Sequence, residues 1–89
     1  MGSYSLRIRD SAAKEIERIE PKKVRQRVVK RIQALAANPR PRGCEKLAGR
    51  GERYRVRQGT WRIVYEVRDS ELVVVLVKVG HRRDVYKTL

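Results

Sequence analysis

The sequence predicts an α+β protein in which two helices pack on one face of a small twisted sheet. Residues 12–35 carry apolar side chains at helical spacing, and residues 54–68 alternate between apolar and polar side chains. Residues 72–79 form an apolar run interrupted only at Lys78. Because one strand precedes the helices and three follow them, helices and strands are grouped along the chain, which is typical of the α+β class.

The N-terminal strand and the first helix are predicted from two short patterns. Apolar and polar side chains alternate in the strand, with Tyr4, Leu6 and Ile8 on one face. Asp10 or Ser11 can then cap a helix. The face of that helix that packs on the sheet carries apolar residues at helical spacing, namely Ala12, Ile16 and Ile19.

The second predicted helix is the longest element. Pro21 fits its first turn, and Asn38-Pro39 ends it. Its apolar stripe consists of Val24, Val28, Ile32 and Leu35. Residues 38–53 have two prolines, three glycines and no periodicity, so we expect a basic loop in which Leu47 inserts into the core.

The C-terminal half predicts a three-stranded antiparallel meander. Its strands cover residues 54–57, 61–68 and 72–79, joined by turns at Gln58-Gly59 and Asp69-Ser70. The last strand has almost no alternation, so we expect it to be central and covered on both faces. The helices should cover one face of the sheet and leave the other partly open.

Composition and charge indicate one small basic domain spanning residues 1–89. Neither a membrane-spanning run nor a signal peptide is visible, and a single Cys and a single His argue against a disulfide or a zinc site. We therefore expect a cytoplasmic protein without metal or other cofactor. Lys and Arg total 23 against 10 acidic residues, a net charge of +13, which favours nucleic acid, an acidic protein or an anionic membrane surface as partner.

A cationic cluster is the candidate functional site. If Trp61 faces the helices, Arg62 faces away from them, and the same period puts Arg55 and Arg57 together on one face, which we expect to be that of Arg62. Further basic and aromatic residues follow the last strand. The predicted cluster consists of Arg55, Arg57, Arg62, His81, Arg82, Arg83 and Tyr86.

Such a cluster suits RNA cleavage without metal. Arginine forks bind phosphate oxygens and offset the charge of a pentacoordinate transition state. The 2′-hydroxyl of RNA is the nucleophile, so the protein must supply a base and an acid, for which His81 and Tyr86 are the candidates. Each residue also has an ordinary interpretation: a surface histidine, a packed tyrosine, and arginines on a solvated strand face.

The stretch LAGRGERYRVRQGTWRIVYEVRDSELVVVLVKVGHRRDVYKTL resembles the C-terminal half of RelE-family toxins of bacterial and archaeal toxin–antitoxin systems. The motifs are Leu-x-Gly at 47–49, Trp-Arg-Ile-Val-Tyr at 61–65 and Val-Gly-His-Arg-Arg-Asp-Val-Tyr at 79–86, which together are typical of the RelE/ParE superfamily. The N-terminal strand and helical hairpin also fit, so the resemblance covers nearly the whole chain.

The resemblance implies a toxin that enters the ribosomal A site and cuts mRNA there, with a RelB-like antitoxin as partner and no membrane association. Arg57 would stabilise the phosphate, Arg62 and Arg82 would bind it, and Tyr86 would take the 2′-hydroxyl proton or orient the base. His81 stands where some members carry lysine. Nearby basic residues predicted to contact RNA are Lys46, Arg50, Arg53, Arg55 and Arg83.

Two other functions remain open at this point. A ParE-like toxin has the same fold but inhibits DNA gyrase by binding, without cutting RNA. The presence of Arg62, Arg82 and Tyr86 together favours the nuclease, because ParE-like toxins generally lack this set. A non-catalytic RNA-binding module is the third alternative, and it would be favoured if the arginines were dispersed in space.

Overall fold

The computed structural model describes residues 3–49 and 51–81, and these confirm the predicted α+β class. No helix in this part of the chain is long and apolar enough to span a bilayer. The elements in chain order are β1 (Ser5–Ile8), α1 (Asp10–Glu17), α2 (Lys22–Ala37), β2 (Glu45–Lys46), β3 (Arg53–Gln58), β4 (Trp61–Arg68), a 3-10 helix (Asp69–Glu71) and β5 (Val73–His81).

The strands form one five-stranded sheet in the order β1-β5-β4-β3-β2. The meander of β3, β4 and β5 is antiparallel, as predicted. Two pairings were not predicted: β1 runs parallel to β5, and the short β2, inside the expected loop, pairs antiparallel with β3. β5 therefore lies between β1 and β4, which agrees with its apolar sequence.

The core lies between the helices and one face of the sheet. Val28, Ile32 and Leu35 of α2 are buried as the stripe predicted, while Val24 is only partly buried. They pack with alternate residues of the strands, among them Val56 and Ile63. This alternation shows, for each residue of a strand, whether it lies on the sheet face that carries the helices or on the opposite face.

The first helix differs from the prediction at both ends. Its N-cap is Arg9, and neither Asp10 nor Ser11 caps it, because Asp10 is already the first helical residue. The helix ends at Glu17, yet Ile19 is fully buried in the connection to α2. A buried side chain at helical spacing does not require that the helix itself reaches that residue.

Two leucines also lie differently from the prediction. Leu72 ends the 3-10 helix in a left-handed conformation, φ 54°, and is half exposed, so β5 begins one residue later than expected. Leu47 is only partly buried, because its amide pairs with the Arg53 carbonyl, at 2.8 Å, at the margin of the sheet. Cys44 packs against the core instead.

The sheet face away from the helices is more buried than predicted. Val64 and Val75 on this face are 0% and 6% exposed. Arg55 and Arg62 are each only 8% exposed, so their side chains lie against the sheet instead of extending into solvent.

Candidate functional site

Arginines cluster on the sheet face away from the helices, and four of them lie on β3 and at the start of β4. In the β3–β4 register Arg57 lies directly opposite Arg62, while Arg53 lies opposite Glu66 and Arg55 opposite Val64. Residues directly opposite one another point to the same face. The register therefore confirms that Arg55 and Arg57 share the face of Arg62. We call this surface, defined by Arg53, Arg55, Arg57 and Arg62, the arginine face.

The turn between β3 and β4 sets this register. Gly59 has φ +61°, a left-handed conformation that suits the tight connection, and Gln58 pairs with Trp61 across it. The next pair inward is Arg57 and Arg62. Like charges directly opposite one another destabilise a sheet, so this pair is not explained by stability.

Arg62 is the most unusual side chain of the arginine face. Its Nη1 donates two long hydrogen bonds, both 3.3 Å, to the carbonyl oxygens of Gly59 and Trp61. Its Nε is buried and makes no hydrogen bond with any residue that the structure describes. Gly80 stands opposite Arg62 on β5 and has no side chain that could fill the space. The hydrogen-bonding capacity of Arg62 is thus only partly used by the residues that the structure describes.

Glu45 adds a negative charge that the sequence did not point to. Arg55 donates from Nη2 to Glu45 Oε2 at 2.7 Å, and Arg57 Nη2 lies 3.8 Å from Glu45 Oε1. Arg55 is buried in this ion pair, whereas the Arg57 side chain is 61% exposed. Glu45 reaches these arginines only because β2 pairs with β3, and no periodicity in the loop signals that pairing.

His81 lies on the other side of the sheet, which contradicts the predicted single cluster. His81 pairs with Trp61 across β4 and β5, and the two rings meet edge to face with centroids 5.9 Å apart. Trp61 packs against the core, so both rings belong to the face that carries the helices. Arg62 and Gly80, one residue along each strand, belong to the arginine face.

The remaining predicted residues fall into two groups. Lys46 pairs with Tyr54 and so lies on the helix side, where its ammonium is 3.0 Å from Glu52. This contact raises the pKa of Lys46 and contributes to lowering that of Glu52. Arg50, Arg82, Arg83 and Tyr86 lie outside the described residues.

A polar network around a single arginine, Arg40, lies at the opposite end of β3 and β4. Arg40 donates to both Asp69 oxygens, at 3.1 and 2.8 Å, and from Nε to the Tyr54 hydroxyl at 2.9 Å. Tyr54 donates to Glu52 at 2.6 Å, and Tyr4 donates to Asp69 at 2.7 Å. We call Tyr4, Arg40, Glu52, Tyr54 and Asp69 the Arg40 network.

The Arg40 network is electrostatically satisfied. Hydrogen bonds from Arg40 and Tyr4 lower the pKa of Asp69 from 3.8 to about 2, and the Asp69 carboxylate in turn raises the pKa of Arg40. The guanidinium also lies 5.1 Å from the centre of the Tyr54 ring. Among the described residues, no group of three or more His, Cys, Asp or Glu side chains could hold a metal ion.

Residues 6–86 match the family model described as the ParE toxin of type II toxin–antitoxin systems. The chain belongs to the RelE/ParE superfamily of toxins. It is 32% identical over 87 residues to a RelE-like toxin protein of Escherichia coli, covering 93% of this chain and 90% of that protein. It is 28% identical to toxin RelG of Mycobacterium tuberculosis, covering 94% of this chain and 97% of the relative.

Solved structures of RelE toxins share the fold of this superfamily member. The RelE–RelB complex of Pyrococcus horikoshii gives a TM-score of 0.80 at 28% identity, covering 92% of this chain and 98% of that one. The isolated RelE toxin of E. coli gives a TM-score of 0.77 at 29% identity, covering 96% of this chain and 93% of that one. The protein is thus a toxin of a type II toxin–antitoxin system.

Proposed function

We propose that this toxin is a cytoplasmic, ribosome-dependent endonuclease that cuts mRNA in the A site without a metal or cofactor. The observation that carries the proposal is the largely buried Arg62, whose guanidinium makes only long hydrogen bonds to described residues and which lies directly opposite Arg57 on the same face. Guanidinium groups bind phosphate oxygens through paired hydrogen bonds, so two arginines on one sheet face suit one phosphodiester. The superfamily's RelE members among the relatives also favour this branch.

The reaction needs proton transfers besides phosphate binding. The 2′-oxygen forms a bond to phosphorus, the bond from phosphorus to the 5′-oxygen breaks, and the products are a 2′,3′-cyclic phosphate and a 5′-hydroxyl. Arg57 and Arg62 offset the charge on the phosphate. Tyr86 takes the 2′-hydroxyl proton. Arg82 binds the phosphate and offsets the charge that develops on the leaving 5′-oxygen, which takes its proton from water. His81 is the second candidate for the base, and its position beside Trp61 favours Tyr86.

The ribosome supplies what the arginine face lacks. A tyrosine side chain in water ionises only well above neutral pH, so tyrosine is a weak general base near pH 7. Positioning of the substrate must therefore contribute much of the rate. Ribosomal RNA that holds the mRNA in a bent conformation brings the 2′-oxygen into line with the phosphate. We therefore expect slow or undetectable cleavage of free RNA.

The partner that restrains this activity is a RelB-like antitoxin. Solved relatives include complexes of RelE with RelB from P. horikoshii and E. coli. A net charge of +13 favours an acidic or amphipathic antitoxin segment. Such a segment can cover the arginine face or displace the residues that follow β5.

The proposal is tested by mapping mRNA cuts with primer extension, using purified toxin with and without programmed ribosomes. We expect cuts within the A-site codon only when ribosomes are present. Tyr86→Phe removes the proton acceptor and keeps the ring, so cleavage should fall at least about a hundredfold. Full activity in Tyr86→Phe would overturn Tyr86 as the base, and the absence of cuts in either condition would overturn the nuclease.

Gyrase inhibition is the second candidate function, because the matching family model is that of the ParE toxin. In this case the arginine face would bind a protein or DNA surface without chemistry. DNA supercoiling by gyrase, measured at increasing toxin concentration, distinguishes the two. Inhibition that survives Tyr86→Phe, together with no RNA cleavage, would favour this alternative.

A further inference from the structure

A cavity of about 160 Å³ lies between α1 and the end of β5, on the side of the sheet opposite the arginine face. Its lining includes Glu15, Arg18, Trp61, Lys78 and His81. We propose that this cavity binds one unpaired base of the RNA that flanks the cleaved nucleotide, with its phosphate on Arg18. The inference rests on the proposed nuclease function and adds a second contact for the same substrate.

The two aromatic rings of the cavity suit a nucleobase. Trp61 and His81 are both only partly buried, and their edge-to-face contact holds the two ring planes at 85° to one another. Single-stranded RNA is commonly bound by stacking unpaired bases on such side chains. Clefts and cavities that bind small ligands usually measure about 300–1,000 Å³, so an open cavity of about 160 Å³ fits one flat ring better than a whole metabolite.

The charges of the cavity favour an anion next to that ring. Glu15 accepts the Val79 amide at 3.0 Å with one oxygen and the Lys78 ammonium with the other, so its charge is already matched. This arrangement holds the end of β5 beyond the last residue that pairs with β1, Leu76. Arg18 is exposed at the C-terminal end of α1 and supplies the remaining positive charge.

The position of the cavity favours RNA over a separate partner. Trp61 precedes Arg62 on β4, and His81 follows Gly80, which stands opposite Arg62 on β5. The cavity and the arginine face thus occupy the two sides of the same end of the sheet. An RNA strand whose phosphate lies on Arg62 has to pass only around this end of the sheet to place a neighbouring base against Trp61.

Trp61 is the only tryptophan, so its fluorescence reports on this cavity directly. The probe is a single-stranded RNA hexamer with 2′-O-methyl groups, which cannot be cut, and we expect saturable quenching. Arg18→Gln and His81→Ala should each weaken binding by about five- to a hundredfold. Arg27→Gln on the exposed side of α2 makes the same charge change elsewhere and should have much less effect.

Two results of the fluorescence experiment would overturn the inference. One is quenching by RNA that is equal in wild type, Arg18→Gln and His81→Ala. The other is quenching by an acidic hexapeptide but not by RNA, which would assign the cavity to a protein segment. Inorganic phosphate alone should not quench, because it lacks a ring.

The cleavage assay separates this inference from the proposed function. On programmed ribosomes, Arg18→Gln should raise KM and leave kcat unchanged, because Arg18 binds RNA away from the reacting atoms. Quenching that depends on Arg18 without any cleavage would retain the cavity and overturn the nuclease. Cleavage with an unchanged KM in Arg18→Gln would retain the nuclease and overturn the cavity.

Discussion

The two ends of the β3–β4 hairpin use arginine in opposite ways. At one end Arg40 makes three hydrogen bonds between 2.8 and 3.1 Å and stacks near Tyr54. At the other end Arg62 makes two hydrogen bonds, both 3.3 Å, with the residues that the structure describes, although it is the more buried of the two arginines. Burial without full hydrogen bonding costs free energy, so Arg62 is not explained by a contribution to stability.

This difference separates an arginine that stabilises the fold from one that is available to a ligand. The Arg40 network joins the N-terminal segment, the loop after α2, β3 and the 3-10 helix through its own internal partners. Arg62 faces Arg57, another cation, and a glycine. An anion bound between Arg57 and Arg62 would supply the missing partners and stabilise the folded state.

The largest expected effect is the loss of cleavage in Arg62→Lys. Lysine keeps the charge but loses the planar fork, so kcat on programmed ribosomes should fall about a hundredfold, while the thermal midpoint changes little. Arg40→Lys is the matched control at the other end of the hairpin. It should lower the thermal midpoint and keep the activity of the folded protein. A loss of stability in Arg62→Lys together with a loss of activity in Arg40→Lys would contradict the comparison.

A smaller effect is expected at Tyr65, next to the Arg40 network. Its buried hydroxyl donates to the Pro39 carbonyl at 2.6 Å, and its ring stacks on Tyr54. Tyr65→Phe keeps the ring and leaves the carbonyl unpaired, so the free energy of unfolding should fall by about 1–2 kcal/mol. Urea denaturation measures this change, and an unchanged midpoint would show that the hydroxyl adds nothing.

Glu45→Gln changes the arginine face itself. It removes the charge that Arg55 and Arg57 share, so the affinity for single-stranded RNA should rise about two- to fivefold at low salt. Fluorescence anisotropy with a labelled, uncleavable RNA measures the affinity. Glu71→Gln, in the 3-10 helix, is the control for the change in net charge. An equal gain in RNA affinity in this variant would show that net charge, and not the ion pairs of Glu45, explains the effect.

The smallest effect is the acid dependence of the Arg40 network. The Asp69 pKa is about 2 in the folded protein, below its ordinary value of 3.8. As the pH falls the unfolded chain takes up this proton first, so the stabilisation is complete above about pH 5 and is lost towards pH 2. Thermal midpoints of wild type and Asp69→Asn should differ at pH 5 and converge near pH 2. A constant difference would exclude this linkage.

The sequence predicted elements whose pattern is local. The spacing of Val28, Ile32 and Leu35 reports directly which side of α2 is buried. The alternation in β3 and β4 likewise placed Arg57 and Arg62 on one face. Both predictions depend only on the geometry of a single helix or hairpin, which neighbouring residues along the chain determine.

Pairings between distant segments could not be predicted in this way. The parallel alignment of β1 with β5 joins residues far apart in the chain, and β2 consists of two charged residues without a strand pattern. The position of His81 was wrong for a related reason. The run from Val73 to Val77 is apolar on both faces, so no alternation indicates which face His81 should share. The pairing of β4 with β5 also contains a register shift between Val64 and Tyr65, which changes the alternation before His81 is reached.

The parallel pairing of β1 and β5 has a consequence for the biosynthesis of this toxin. β5 contacts β1, β4 and both helices, and the ribosome makes it after all of them. β1 has no strand to pair with until β5 has been made, so the complete sheet forms late. Folding of the sheet therefore depends on contacts between segments that are distant in the chain. Gly80, which completes the surroundings of Arg62, arrives with that same strand. The arginine face is thus assembled only after the last strand of the sheet has been made.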